Sequence, residues 1–337
     1  MKKTFYLFFI LFSQIIQSQV SDFKNIDFTK ADNIAKLNHG ENLINLPLLC
    51  YKLTHKLNSD VEKFRAIYSW VSNNVKVDYP IYKKVIQNRK KLIKDSISLN
   101  LWNKIYKEKV FKTLINKKRT ICTGYAYLIK EMANIVDIEC RIIDGYGRTV
   151  TSNMNSLKIP NHSWNAVNLD GKWYLCDATW SSGYIDEKRQ FIQDYNDGYF
   201  LTHPDLFNKN HYPLKKKWQL SSKLTENSFV EAPIVYGEIF KYKISPLTPV
   251  VMKINTNKNI PITFKYKLLN NHFSEKISLI CIYNQKEKKL NIYDFKNKDD
   301  FISFKYCPTK GGNYDVHLKI NNDIVASYII NIDNEKS

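Results

Sequence analysis

The spacing of apolar and polar residues changes character along the chain, and the changes mark its elements. Over residues 28–57 apolar positions recur at helical intervals, with a break near Gly40 and Pro47. The following run, NSDVEKFRAIYSWVSNNVKVDY, is sharper: Val61, Phe64, Ile67, Tyr68 and Val71 share one helical face. Ser59 followed by Glu62 is a capping-box pair, so the pattern predicts a helix from there to Asn73-Asn74. Between Ile81 and Lys118, lysines interleave with Leu, Ile, Trp102 and Phe111. That predicts one or two basic amphipathic helices, either covering the core or forming a lid. In RTICTGYAYLIKEM another helix begins around Cys122, with Thr120 as its expected cap and Tyr125, Leu128, Ile129 and Met132 as its apolar face.

The period then shortens to that of strands. CRIIDGYGR reads as a strand closing at Gly145 or Gly147, and NHSWNAVNLDGKWYLCDATW as a β-hairpin turning at Asp170-Gly171. A two-residue turn there puts Leu169 opposite Lys172 and, continuing outward, Trp164 opposite Asp177. His162 lies two positions from Trp164 and shares its face. His162 and Asp177 thus become diagonal neighbours, with α-carbons roughly 7–8 Å apart. A slip of one residue would put them on opposite faces. From about residue 225 the texture is short β-rich segments such as NIPITFKYKLL, KISLICIYN, FISFKYC and IVASYIINI, separated by Asn, Lys, Asp or Gly turns. They predict a β-sandwich of about seven strands, immunoglobulin-like in plan.

Composition sets the scale. With 337 residues, 44% hydrophobic and 14% aromatic, the chain can bury more than one core. The expected layout is a signal peptide at 1–19, a helical segment at 20–58, a core at 59–224 and the sandwich at 225–337. In MKKTFYLFFILFSQIIQSQV, Lys2 and Lys3 precede an apolar run from Phe5 to Phe12, the order of a secretory signal. That run is shorter than the roughly 20 residues a membrane span needs, so no transmembrane anchor is expected. The absence of a cysteine around Ser18 to Val20 argues against a lipid anchor. An exported protein, periplasmic or secreted, follows. The net charge is +19, two of it from Lys2 and Lys3. The excess either favours acidic partners, such as envelope components, headgroups or acidic proteins, or is a solvated surface. Export and the lack of a recognisable motif exclude nucleic acid as the partner.

Candidate chemistry centres on one cysteine. The chain has 6 cysteines, none in a CxxC pair, which excludes a zinc ribbon or thioredoxin-type site. Cys140 and Cys176 could pair in an oxidising compartment, but most of the six read as small buried residues. Cys122 differs, because a thiol in the first turn of a helix is drawn toward thiolate by the helix dipole and free N–H groups. His162 could take its proton and return it to a leaving amine while Asp177 orients the imidazole. The plainer alternatives are a buried cysteine, a core histidine and a strand-end cap. Trp164, on the same face, and Trp180 are candidate walls of a substrate groove, or parts of the core. His203 and His211 lack metal-ligand spacing and read as structural; no metal or cofactor is expected.

Three segments, RAIYSWVSNNVKVDY, RTICTGYAYLIKEM and HSWNAVNLDGKWYLCDATW, together resemble the transglutaminase-like superfamily and follow its order. YFLTHPDLF followed by HYP and WQL is similar to the extension of the kyphoscoliosis-peptidase branch. The resemblance implies an α+β protein with a papain-like core, a nucleophile helix packed on an antiparallel sheet. It also implies roles for three residues: Cys122 as nucleophile, His162 as general base and acid, and Asp177 as orienting carboxylate. An exported thiol enzyme follows, acting on amide bonds of proteins or peptides through a thioester on Cys122, most simply a peptidase. The alternatives are a glutamine-crosslinking acyltransferase and a non-catalytic binder of peptides or envelope polymers. Relatives carry a Tyr-Asp pair after the first helix, whereas here Asp78 precedes Tyr79. The stretch 81–118 is longer than their usual connection. The backbone N–H of Cys122 is one expected oxyanion donor.

Overall fold

The computed structural model describes residues 20–152, 156–221, 224–269, 273–283 and 286–333. The expected signal peptide at 1–19 lies outside the described residues.

Helices α1 (Thr29–Leu37) and α2 (Leu46–Thr54) lie against α3 (Asp60–Asn74). The capping box forms as the spacing predicts: the Glu62 N–H meets Ser59 Oγ at 3.4 Å and the Ser59 N–H meets Glu62 Oε2 at 3.0 Å. With neighbours on several sides, α3 is far more deeply buried than its amphipathic stripe implies, and Phe64, Ile67, Tyr68, Trp70 and Val71 are all inaccessible. Even Arg65 is buried, held by Asp32 at 2.6 Å and by Asp197, with its guanidinium over the Phe200 ring.

The lysine-rich stretch becomes two helices, α4 (Tyr79–Leu92) and α5 (Ser96–Lys117). Asp78 and Asp95 cap them, accepting the N–H groups of Ile81 at 3.1 Å and Ser98 at 3.0 Å. The short strands β1 (Lys76–Val77) and β2 (Arg119–Thr120) pair in parallel and close the base of this excursion. Helix α6 (Cys122–Ile135) follows at once and starts where its periodicity predicts. Its cap does not match the expectation. Thr120 is committed to β2, and Ile121 in extended conformation is the N-cap, with no side-chain cap bond. Gly124 is needed beneath it, since a Cβ there would sit 1.9 Å from Thr120 Oγ1.

Strands β3 (Cys140–Gly147), β4 (His162–Leu169) and β5 (Lys172–Cys176) lead into α7 (Ala178–Ser182) and the hairpin β6 (Gly183–Ile185) and β7 (Phe191–Gln193). A short helix α8 (Pro204–Phe207) precedes β8 (His211–Pro213). The central sheet is antiparallel in the order β5-β4-β3-β8, with α6 packed on it. The hairpin keeps the expected register from Leu169 opposite Lys172 to Asn165 opposite Cys176. Asp170 at φ 53° and Gly171 at φ 77° form the type I′ turn that suits strand twist. Pairing then ends, because Asp177 leaves the strand to cap α7.

Helices α9 (Glu226–Glu231) and α10 (Glu238–Tyr242) flank β9 (Ile234–Val235) and lead into the strands β10 (Ile244–Thr248), β11 (Lys253–Asn257), β12 (Ile262–Leu268), β13 (Ile277–Tyr283) and β14 (Lys286–Leu290). The chain continues through β15 (Ile292–Lys298), β16 (Phe301–Tyr306), β17 (Gly312–Ile320) and β18 (Asp323–Asp333). They build one sheet in the order β10-β12-β16-β15 and another in the order β11-β18-β17-β13-β14, with β9 also on β18. Phe264, Tyr266 and Phe304 from the first meet Leu279, Leu318 and Tyr328 from the second in one apolar cluster. That cluster runs on into Trp164, Leu175, Tyr199 and Phe207 under the central sheet. The fold is therefore mixed α+β, helices plus largely antiparallel sheets, with a strand-rich C-terminal part.

All six cysteines are free thiols; Cys140 and Cys176 are both buried and are not joined. No helix among the described residues is long and apolar enough to cross a membrane.

Candidate functional site

Three element boundaries converge on one point. Cys122 is the first residue of α6, His162 the first of β4, and Asp177 the N-cap of α7. The His162 Nε2–H donates to Asp177 Oδ2 at 2.7 Å. That leaves Nδ1 as the ring nitrogen available to the Cys122 thiol, whose charge the imidazole favours. All three side chains are buried.

Asp177 divides its two oxygens between two tasks. Oδ1 accepts the N–H groups of Thr179 at 2.8 Å and Trp180 at 3.3 Å, while Oδ2 faces His162. The strand-end cap and the orienting carboxylate are thus one residue, and the cap bonds hold the carboxylate still for the imidazole.

A fourth residue, His211, which its spacing marks only as structural, joins them. His211 Nε2 lies 3.2 Å from the same Asp177 Oδ2, its Nδ1 is 2.7 Å from Asn210 Oδ1, and its ring stacks on Phe207 at 3.9 Å between centroids. It arrives because β8 pairs with the end of β3, placing His211 opposite Gly147. His203 does stay apart, capping α8 by accepting the Asp205 N–H at 3.1 Å. The ligand atoms of His162, Asp177 and His211 lie within 4.8 Å of one another, so these three could hold a metal ion. The distances are those of hydrogen bonds, and a metal at about 2.0–2.1 Å from each imidazole would have to displace both.

The electrostatics favour charge separation. Burial pushes the Cys122 thiol up, but the hydrogen bond and charge of His162, the Ser163 backbone and Arg89 outweigh it, and its pKa falls below the ordinary thiol value. Burial likewise opposes a charged His162, yet the Asp177 carboxylate and the Cys122 thiolate raise it to about 10. Against its own burial, Asp177 is held well below the usual carboxylate range by His162 and then His211. For His211 burial prevails over Asp177, lowering it to about 4. The site therefore reads as a thiolate–imidazolium pair with a carboxylate behind it and a neutral second histidine beside that.

Trp180 covers His162, ring on ring at 4.5 Å with planes 20° apart. Gly147 permits this approach: a Cβ there would lie 2.9 Å from Trp180 Cζ2 and 3.0 Å from His162 Cβ. The cysteine and histidine open onto a cavity of about 850 Å³. Its walls come from α4 (Tyr79, Tyr82, Ile86), the β6–β7 hairpin and residues 235–238 ahead of the C-terminal sheets. The lysine-rich pair thus supplies a wall through α4 and covers a small cluster of Val85, Tyr106, Val110 and Ile121. Asp78, ahead of Tyr79, is the cap of that wall helix.

Of the two expected groove tryptophans, Trp180 lines the cavity and Trp164 does not. Trp164 is 1% exposed and packs against Phe207 and His211. Strand alternation assigned it to the right face, but that face is covered by α8 and β8, and the open edge lies at the strand end.

The model of the transglutaminase-like superfamily matches residues 48–178, a stretch that contains Cys122, His162 and Asp177. Kyphoscoliosis peptidase of Mus musculus is 30% identical over 221 residues, covering 62% of this chain and 30% of that protein. The Homo sapiens protein of the same name is 32% identical over 174 residues, covering 50% and 23%. Residues 48–178 carry a transglutaminase-like domain, and the kyphoscoliosis peptidases are among its relatives. Hillarin of Drosophila melanogaster is more distant, 23% identical over 236 residues, covering 64% of this chain and 26% of that protein. The chain spans less than a third of the length of these curated relatives. Within the transglutaminase-like match lie the helix that begins at Cys122 and the hairpin; His211 and residues 235–241 fall beyond it.

Proposed function

We propose that this protein is an exported thiol hydrolase of protein or peptide amide bonds, built as a papain-like core followed by an immunoglobulin-like β-sandwich. The observation that carries the reading is the His162–Asp177 hydrogen bond beside the Cys122 thiol, which the imidazole draws toward thiolate, at a cavity large enough for a peptide segment. In the proposed reaction the Cys122 thiolate attacks the carbonyl carbon, and the oxyanion is received by the Cys122 N–H at the helix start. His162, already protonated, gives its Nδ1 proton to the leaving amine as the C–N bond breaks and a thioester remains. Water then attacks the thioester, His162 takes its proton, and the acid is released with the thiolate restored. Asp177 keeps the imidazole oriented throughout.

The name borne by the mouse and human relatives, a peptidase, supports water over an amine as the acceptor. An acyl transfer to lysine uses the same thioester, so acceptor choice is an experimental question. Incubation with a glutamine-containing protein and a labelled primary amine should leave the label unincorporated while the protein is cleaved; incorporation without cleavage would reverse the assignment. Cys122→Ala should lose all reaction with a thiol-directed amide-mimic probe, and equal labelling of the variant would remove Cys122 from the role. Export rests on the leader pattern; cell fractionation finding the full-length chain in the cytosol would count against it.

A further inference from the structure

Helix α5 is apolar on two opposite sides. Trp102, Tyr106, Val110 and Leu114 face inward, and the last three are buried. Ile97, Leu101 and Ile105, spaced four residues apart, form a ridge on the other side and are 81%, 59% and 62% exposed. Ile93, in the turn from α4, extends the ridge at 41% exposed. Three large aliphatic side chains in line on one helix, open to water, call for an explanation that an isolated exposed leucine does not.

The charge around the ridge identifies what covers it. From Tyr79 to Lys117 the chain has eleven Lys and Arg against two acidic residues, so this pair of helices supplies +9 of the chain's +19. Lys90, Lys91 and Lys94 at the tip, and Lys104, Lys109 and Lys112 along α5, are exposed. A second copy of the chain would bring the same +9 against it. A soluble acidic polymer would satisfy the lysines and leave the ridge in water. An anionic lipid surface satisfies both, taking aliphatic side chains into the headgroup boundary while phosphates meet the lysines.

We propose that the α4–α5 pair docks this protein on an anionic membrane surface through Ile93, Ile97, Leu101 and Ile105. Because α4 also forms a wall of the cavity, docking holds the Cys122 site at a fixed orientation to the membrane. The docking is independent of catalysis.

The test is cosedimentation of the purified chain with vesicles of phosphatidylcholine alone or mixed with phosphatidylglycerol. The mixed vesicles should retain the protein at least tenfold better. The triple variant Ile97→Glu, Leu101→Glu, Ile105→Glu should lose that preference, whereas Ile260→Glu, an exposed position in the C-terminal part, and Cys122→Ala should keep it. Leu101→Trp should be quenched by brominated phosphatidylglycerol beyond the level of the unaltered chain, a readout specific to α5. Retention of the preference by the triple variant, or no added quenching at position 101, overturns the proposal. So does binding to polyglutamate that the triple variant preserves, which would assign the lysines to a soluble polyanion.

Discussion

Asp177 meets four nitrogens through two oxygens, and the division sets up the pH behaviour of the site. Cys122 lies below the ordinary thiol value and His162 is raised to about 10, each favoured in its charged form by the other. The alkylation rate of Cys122 should therefore rise at lower pH in the unaltered protein than in His162→Ala. Coincident pH profiles for the two proteins would contradict the pair. Asp177→Asn retains a capping oxygen but removes the charge opposite His162, so kcat should fall by about 10²–10⁴ with the helix start preserved. Stability follows the same groups with opposite signs. His162, raised, contributes stability that is complete below pH 6.5 and is lost as pH climbs toward 10. His211, lowered to about 4, refuses a proton that the unfolded chain accepts, so stability falls as pH drops from 6.5 toward 4, by roughly 3 kcal/mol. Replacing His211 with Gln should flatten that acid limb in denaturant titrations, while an unchanged limb would assign it to other groups.

Between β3 and β4 the spacing is set by what is missing from Gly147. Adding one methyl in Gly147→Ala forces His162 and Trp180 to move. Displacements of this size reduce turnover by about 10² while leaving most of the fold, to be read as a fall in kcat/KM at an unchanged circular-dichroism spectrum. Normal kcat/KM in Gly147→Ala would mean the imidazole tolerates the shift. The hairpin register was legible in the sequence because a two-residue Asp-Gly turn admits one pairing, which holds as far as Asn165 opposite Cys176; beyond it Asp177 meets His162 from the start of α7 and not from a Trp164–Asp177 pair. The start of α6 was legible from apolar spacing alone. What local pattern could not supply was longer-range pairing. Thr120 looks like a cap until Val77, 43 positions earlier, claims it for a parallel pair. His211 reaches Asp177, 34 positions away, only through the β3–β8 pairing. For Trp164, alternation separates two faces of β4 but is silent on which is covered, and here both are.

Across the whole molecule the cavity is a joint product of segments that share no local signal. Residues 235–241 belong to the approach to the C-terminal sheets, yet Tyr236, Gly237, Glu238 and Lys241 line the cavity that Cys122 faces. They are held there by Phe240, fully buried and stacked on Tyr199 at 4.1 Å, with Gly198 leaving room for its backbone. Tyr199 meets Trp180 edge-on at 5.8 Å, and Trp180 covers His162 at 4.5 Å. A line of rings thus connects the C-terminal part to the imidazole. Phe240→Ala should cost about 3–5 kcal/mol, because a buried aromatic leaves a cavity that a packed interior refills poorly. Measured well below its lowered melting point, the variant should also alkylate Cys122 more slowly, since Trp180 loses the support that keeps it on His162. Phe240→Leu, keeping much of the volume, should recover most of both. A variant that melts early but alkylates at the original rate would show that Phe240 stabilises the junction without positioning the site.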